Sequence, residues 1–152
     1  MIERSSGILM PISSLPSPHG IGTMGKAAYD FADFLAAAGQ KYWQLLPLGP
    51  TSYGDSPYSS FSTYAGNPYF IDLDMLVADG LLTKAEVEAP DWGDDPANVD
   101  YGKIYENRFA LLRLACERGW DRDAKELTAF REQNAGWLPD YALFMALKEE
   151  KY

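Results

Sequence analysis

The sequence predicts an α/β fold that opens with a parallel βαβ unit. Two short apolar runs, residues 7–10 and 41–46, are each closed by a proline, and an amphipathic segment lies between them. A loop of about twenty residues, 49–70, follows the second run directly, and the pattern beyond it is helical. Strand, loop, helix and strand within some forty residues imply parallel pairing.

Gly7-Ile-Leu-Met10 is continuous and apolar, as suits a strand buried on both faces, and Pro11 ends it. Residues 11–24 carry three prolines and two glycines and read as a stiff loop. From about Gly25 to Ala38, Ala27, Ala28, Phe31, Phe34, Leu35 and Ala38 fall on one helical face, and Gly39 stands where a left-handed cap is wanted. Tyr42, Trp43, Leu45 and Leu46 read as the second strand, stopped by Pro47. After the long loop come a short helix over 72–79 and a capping-box pattern at Thr83–Glu86. A polar linker spans 89–99, and helices are expected over about 100–117, 123–134 and 138–150. Asp100 is placed to cap the first of these three, and Pro139 lies in the first turn of the last. Two parallel strands do not make a stable sheet, and a closed eight-stranded βα barrel takes roughly 250 residues. The 152 residues therefore read as the front part of a longer chain.

Composition narrows the function. With 22 acidic against 13 basic residues and a net charge of -9, the chain repels phosphate backbones and anionic lipid alike. No nucleic-acid or membrane partner is expected. A single cysteine, Cys116, excludes an intrachain disulfide, and one His with one Cys cannot build a zinc cluster. No carboxylate cluster has the spacing of a calcium loop. No cofactor or metal is expected. The opening residues carry a charge pair and no apolar signal region, so the expected setting is cytoplasmic.

The long loop holds the chemistry. Tyr53, Tyr58, Phe61, Tyr64, Tyr69 and Phe70 are interleaved there with Gly, Ser, Thr, Pro and Asn. Such rings either stack on the C–H faces of sugars or pack the loop upon itself; composition leaves both open. Asp55 either accepts hydrogen bonds from sugar hydroxyls or closes the Asp-Ser-Pro corner as an Asx-turn. Glycosidic acid/base chemistry needs two facing carboxylates, and no second one occurs before Asp72. Asp72 and Asp74 read instead as carboxylates at a helix N-terminus. His19 reads as an exposed loop residue with no carboxylate beside it, and Cys116 as a core residue at helical spacing from Phe109 and Leu112.

Three dense motifs stand in order: Ser13-Ser-Leu-Pro-Ser-Pro-His-Gly-Ile-Gly22, Lys41-Tyr-Trp-Gln-Leu-Leu-Pro-Leu-Gly-Pro50, and Tyr53-Gly-Asp-Ser-Pro-Tyr58 with Phe61-Ser-Thr-Tyr-Ala-Gly-Asn-Pro-Tyr69. Together they resemble the N-terminal part of the 4-α-glucanotransferase family, the amylomaltases or disproportionating enzymes, related to the α-amylases. A weaker likeness runs through Val99–Tyr105 and returns at Asp140–Leu147. The resemblance covers nearly the whole chain, but about the first third of a family member.

The resemblance implies the first part of a (β/α)8 barrel. Residues 1–70 would supply its first βαβ with glucan-binding loop 49–70, and residues 71–152 a mainly helical insertion. It implies transfer of α-1,4-glucan segments between maltooligosaccharides by a retaining double displacement, with a carboxylate nucleophile and a carboxylic acid/base. Those catalytic groups, and a third carboxylate, map to no position in this chain, so no catalytic residue is assigned and the chain alone is expected to be inactive. What carries over is binding. Ser56 and Tyr58 match residues lining the glucan groove, Asp55 matches a residue of the same motif that shapes it, and Tyr53 and Tyr105 match a secondary glucan spot. Beyond the glucans, the expected partner is the C-terminal remainder of the barrel. A non-catalytic glucan-binding remnant is the alternative reading.

Overall fold

The computed structural model describes residues 4–151. Strands β1 (Gly7–Leu9) and β2 (Tyr42–Gln44) pair in parallel, with Gly7 opposite Tyr42 and Leu9 opposite Gln44. The Met10 N–H donates to the Gln44 carbonyl at 3.1 Å and the Lys41 N–H to that of Ser6 at 3.0 Å, so pairing runs on past both ends. Helix α1 (Lys26–Ala37) crosses between them. Its Phe31 meets the Trp43 ring edge-on at 5.0 Å, and the Trp43 indole N–H donates to the Met10 carbonyl at 2.8 Å. Gly39 ends α1 at φ +70°, the left-handed conformation that its position predicts. With two strands of the sheet in this chain, Ile8 and Leu9 are 39% and 52% exposed.

The helical half contains α2 (Leu73–Ala78), α3 (Lys84–Glu88), α4 (Tyr101–Gly119), α5 (Ala124–Gln133) and α6 (Leu138–Lys151). One core cluster gathers Leu73, Leu81, Leu82, Val87, Leu111 and Ala115. A second joins Ile21 from the first loop, Tyr69 from the long loop and Ile104 from α4, and Trp92 packs against both clusters. The first loop and the long loop both pack on α4 through this cluster.

Polar contacts fix the same junction. Asp72 caps α2 by accepting from the Met75 N–H at 2.9 Å, while its other oxygen accepts from the Thr23 hydroxyl. A side chain at Gly25, at the start of α1, would run into that carboxylate. Arg108 is fully buried on α4 and donates to the carbonyls of His19 and Ile71. His19 is also buried, with Nε2 3.2 Å from the Asp74 carboxylate and its ring edge-on to Trp92 at 5.8 Å. The exposed, unaccompanied histidine expected above is therefore corrected, since the fold brings its carboxylate partner from 55 residues away. Cys116 is corrected too. It is exposed, and its neighbour Ala115 takes the buried position.

The capping box forms as predicted. The Thr83 N–H donates to Glu86 at 2.8 Å and the Glu86 N–H to the Thr83 hydroxyl at 3.3 Å. Arg118 of α4 bridges Glu86 at 2.7 Å and donates to the Leu81 carbonyl at 3.0 Å. Arg118, and next the Thr83 bonds, hold the Glu86 carboxyl at about 2, well below its ordinary 4.5. A lowered carboxylate contributes stability that is present above its unfolded value and lost as pH falls through the folded one. Thermal melts of the parent chain and Glu86→Gln are therefore expected to differ at pH 6 and to converge as pH falls from 4.5 towards 2. A difference constant with pH would refute the linkage.

Candidate glucan-binding site

Loop 49–70 is not self-packed throughout. A lone antiparallel bridge joins Thr51 to Ser60 and closes the segment between them. At its tip Gly54 and Asp55 both take positive φ, +96° and +55°. A non-glycine residue there is uncommon, and Asp is among the few that tolerate it. The Asp55 N–H donates to the Ser52 carbonyl at 3.0 Å and the Ser59 N–H to that of Ser56 at 3.0 Å, so two tight turns follow one another. The second is reinforced by Ser56, whose hydroxyl accepts from the Tyr58 N–H at 3.3 Å.

These turns sort the side chains. Tyr58 stands 74% exposed, Tyr53 is fully exposed, and Ser56 is half-buried between them. Asp55 points the other way. It lines a small cavity with Leu46, Pro47, Tyr69 and Tyr101. Burial raises the Asp55 pKa and the Thr51 side chain opposes that rise. The Tyr69 phenol is pushed up to about 12, first by burial and then by the Asp55 charge. Tyr101 is raised by the same two causes in the same order. The side-chain bond that closes this corner among the described residues comes from Ser56, which accepts from the Tyr58 N–H, rather than from an Asx-turn at Asp55.

The inner end of the loop is held firmly. Asn67 is buried; its N–H donates to the Leu48 carbonyl at 2.8 Å and its side chain accepts from the Tyr69 N–H at 3.0 Å. A short 3-10 turn, Pro68–Phe70, then feeds into α2. Tyr69 packs on Phe109 at 5.7 Å and Phe109 on Tyr105 at 5.4 Å. Tyr105 is thus an exposed ring resting on the loop's own anchor. The structure therefore sets Ser56 and Tyr58 side by side in one turn, and links Tyr105 to the loop through Phe109 and Tyr69. Tyr53 makes no ring contact among the described residues.

Sequence reasoning missed the second wall. Phe61 lies near-parallel to Tyr141 of α6 at 6.4 Å, and Tyr64 near-parallel to Trp137 at 5.7 Å. Tyr141 and Phe144 stand at helical spacing on α6, but nothing local to either segment announces that the aromatic loop meets them or Trp137.

Chemically, the loop offers ring faces, hydroxyls and one inward carboxylate. Asp72 is engaged in capping and Asp74 with His19, so neither is available to face Asp55 as an acid/base partner. Among the described residues no cluster of three His, Cys, Asp or Glu could hold a metal ion. No described helix is long and apolar enough to cross a membrane.

A parallel βαβ start followed by a long loop anchored on a helical subdomain defines the chain as part of an α/β protein. The family model described as 4-alpha-glucanotransferase matches residues 10–152, and the chain belongs to that family. It is 53% identical over 150 residues to a 4-alpha-glucanotransferase of Streptococcus pneumoniae, covering 98% of this chain and 30% of that protein. A second 4-alpha-glucanotransferase, from Thermus thermophilus, is 48% identical, with 97% of this chain and 29% of that protein covered. The amylomaltase from Streptococcus agalactiae, solved in complex with acarbose, superposes with a TM-score of 0.92 at 45% identity, covering 97% of this chain and 30% of that one. The chain thus spans about 30% of the length of the relatives it matches.

Proposed function

We propose that this chain supplies the first βαβ of a (β/α)8 barrel (residues 1–70) and a mainly helical subdomain (71–152) of a cytoplasmic 4-α-glucanotransferase. The whole protein would move α-1,4-glucan segments between maltooligosaccharides, with retention, through a glycosyl-enzyme formed on a carboxylate. In this chain Ser56 and Tyr58 contact the glucan, Asp55 shapes their turn from below, and Tyr53 and Tyr105 form a secondary contact. The observation that carries the reading is the Gly54–Asp55 reversal, which sets the one loop carboxylate on the inner cavity while leaving Tyr58 exposed and Ser56 half-buried beside it. The names of the relatives and the acarbose complex support the ligand class. The single cysteine suits a reducing compartment.

The nucleophile and acid that the family resemblance calls for have no counterpart here, so this chain contributes binding and not bond breaking. Incubated with maltotriose, the 152 residues alone are expected to release no glucose. Release of glucose together with longer oligosaccharides would overturn that division of labour. In a protein that also carries the remaining family length, Tyr58→Ala is expected to lower kcat/KM for maltotriose about ten-fold, the scale of one lost ring contact with its hydroxyl. An unchanged kcat/KM would remove Tyr58 from the site.

A further inference from the structure

We infer that the small cavity beneath the Ser56–Tyr58 turn takes up one ordered water, which joins the Asp55 carboxylate to the phenols of Tyr69 and Tyr101, and that Tyr101 is thereby a positioning residue for the turn. Where it concerns glucan, the inference rests on the reading above.

The cavity holds about 40 Å³, room for one or two waters and far below the size of a site for a sugar. This chain's own segments close it. Ile12 and Ile21 of the first loop and Asn67 and Tyr69 of the long loop line it, and all four are buried. Its occupant is therefore set by these walls and not by what packs outside them.

The polar groups around that space are short of partners. Asp55 enters it at φ +55°, half-buried, and no Lys, Arg or His stands among the lining residues. Its charge is met by neutral donors alone. The Thr51 side chain is one of them. The Tyr69 and Tyr101 rings lie 6.2 Å apart at 48°, and neither hydroxyl has a hydrogen-bond partner among the described residues. Burial, and next the Asp55 charge, raise the pKa of both phenols, so both keep their protons at neutral pH and are free to donate. The carboxylate is thus felt at both hydroxyls, yet no direct bond spans the gap. One water spans it by accepting from the phenols and donating to Asp55, and three such partners are what a buried water ordinarily has. A dry cavity would leave all three groups underbonded, which folded proteins avoid. Tyr101 is the first residue of α4, so the water ties the tip of the loop to the start of that helix. The tie helps to hold a positive φ that a non-glycine residue seldom keeps. Ser56 and Tyr58 follow that residue in the chain, and Tyr101 acts on them only through Asp55.

The test is Tyr101→Phe, which keeps the ring and removes the hydroxyl. Followed by the Asp55 carboxyl carbon resonance, the titration midpoint of Asp55 is expected to move upward, because its charged form loses a donor. Tyr69→Phe is expected to move it the same way, and Tyr29→Phe, on an exposed ring that does not line the cavity, to leave it in place. A crystal structure of the parent chain is expected to show one water within hydrogen-bond distance of Asp55 and Tyr101. A midpoint unmoved in Tyr101→Phe, or a dry cavity, overturns the bridge. The maltoheptaose affinity read at the Tyr58 amide is expected to fall about three-fold in Tyr101→Phe. An equal affinity in the two chains overturns the positioning role. A moved midpoint with a Tyr58 amide that answers maltoheptaose in neither chain supports the bridge and overturns the glucan reading instead.

Discussion

Arg108→Met is expected to cost about 2–4 kcal/mol of folding stability, among the largest effects of any single change in this chain. The guanidinium is fully buried, and burial lowers its pKa to about 10, so it remains charged at neutral pH. Its charge is compensated by donation to the His19 carbonyl at 3.4 Å and more closely to that of Ile71, with the Asp72 carboxylate near enough to favour the charged form. Nε has no protein partner among the described residues. Methionine fills similar space and removes the desolvated charge, which is a gain. The buried His19 carbonyl is left without a donor, costing about 1–3 kcal/mol, the part-buried Ile71 carbonyl loses its bond as well, and together these losses are the larger. Arg108→Lys keeps the charge but has no planar fork to reach both carbonyls, so it is expected to lie between the two. Urea denaturation of the three chains checks this, and variants within about 0.5 kcal/mol of the parent would contradict it.

Gly22→Ala is the second large effect, at about 3 kcal/mol. A Cβ there would stand 2.0 Å from the Ile12 carbonyl oxygen and within 2.8 Å of the Leu15 backbone. These are main-chain atoms of the 3-10 turn Ile12–Ser14 and its cap, so no side chain can swing aside. The Gly22 N–H also donates to the Ser13 carbonyl at 3.1 Å, so relief of the clash breaks that bond. Ile21, next in the chain, belongs to the core cluster with Tyr69 and Ile104, so the disturbance reaches the anchor of the long loop. Gly66→Ala is the control: nothing lies within 4 Å of its added carbon, and a change of no more than about 0.5 kcal/mol is expected. Equal effects at the two positions would show that the packing at Gly22 is not what matters.

Much of the architecture was legible because its causes are local. The 3.6-residue stripe of α1, the Gly39 cap, the Thr83–Glu86 box and the Asp100 cap are each written within a few residues, and each forms. Asp72 and Asp74 were rightly read as carboxylates at a helix start. What escaped is set by contacts between distant segments. His19 meets Asp74 across 55 residues, and Arg108 reaches the His19 carbonyl across 89. No periodicity announces that a polar residue on an apolar stripe will be the buried one. In the long loop, composition marked the aromatics but not their division. Tyr69 is core and Tyr58 is surface because of the Gly54–Asp55 reversal and the Asn67 anchor, which are conformational facts.

Direct observation of glucan at the Ser56–Tyr58 turn tests the central claim best. Maltoheptaose titrated into the 15N-labelled chain should shift the backbone amides of residues 53–56 and 58 saturably, with a Kd of about 1 mM or below, and Tyr58→Ala should abolish that response while leaving the other amides in place. Amides of residues 53–56 and 58 that stay fixed at saturating maltoheptaose, or that shift equally in Tyr58→Ala, would contradict it.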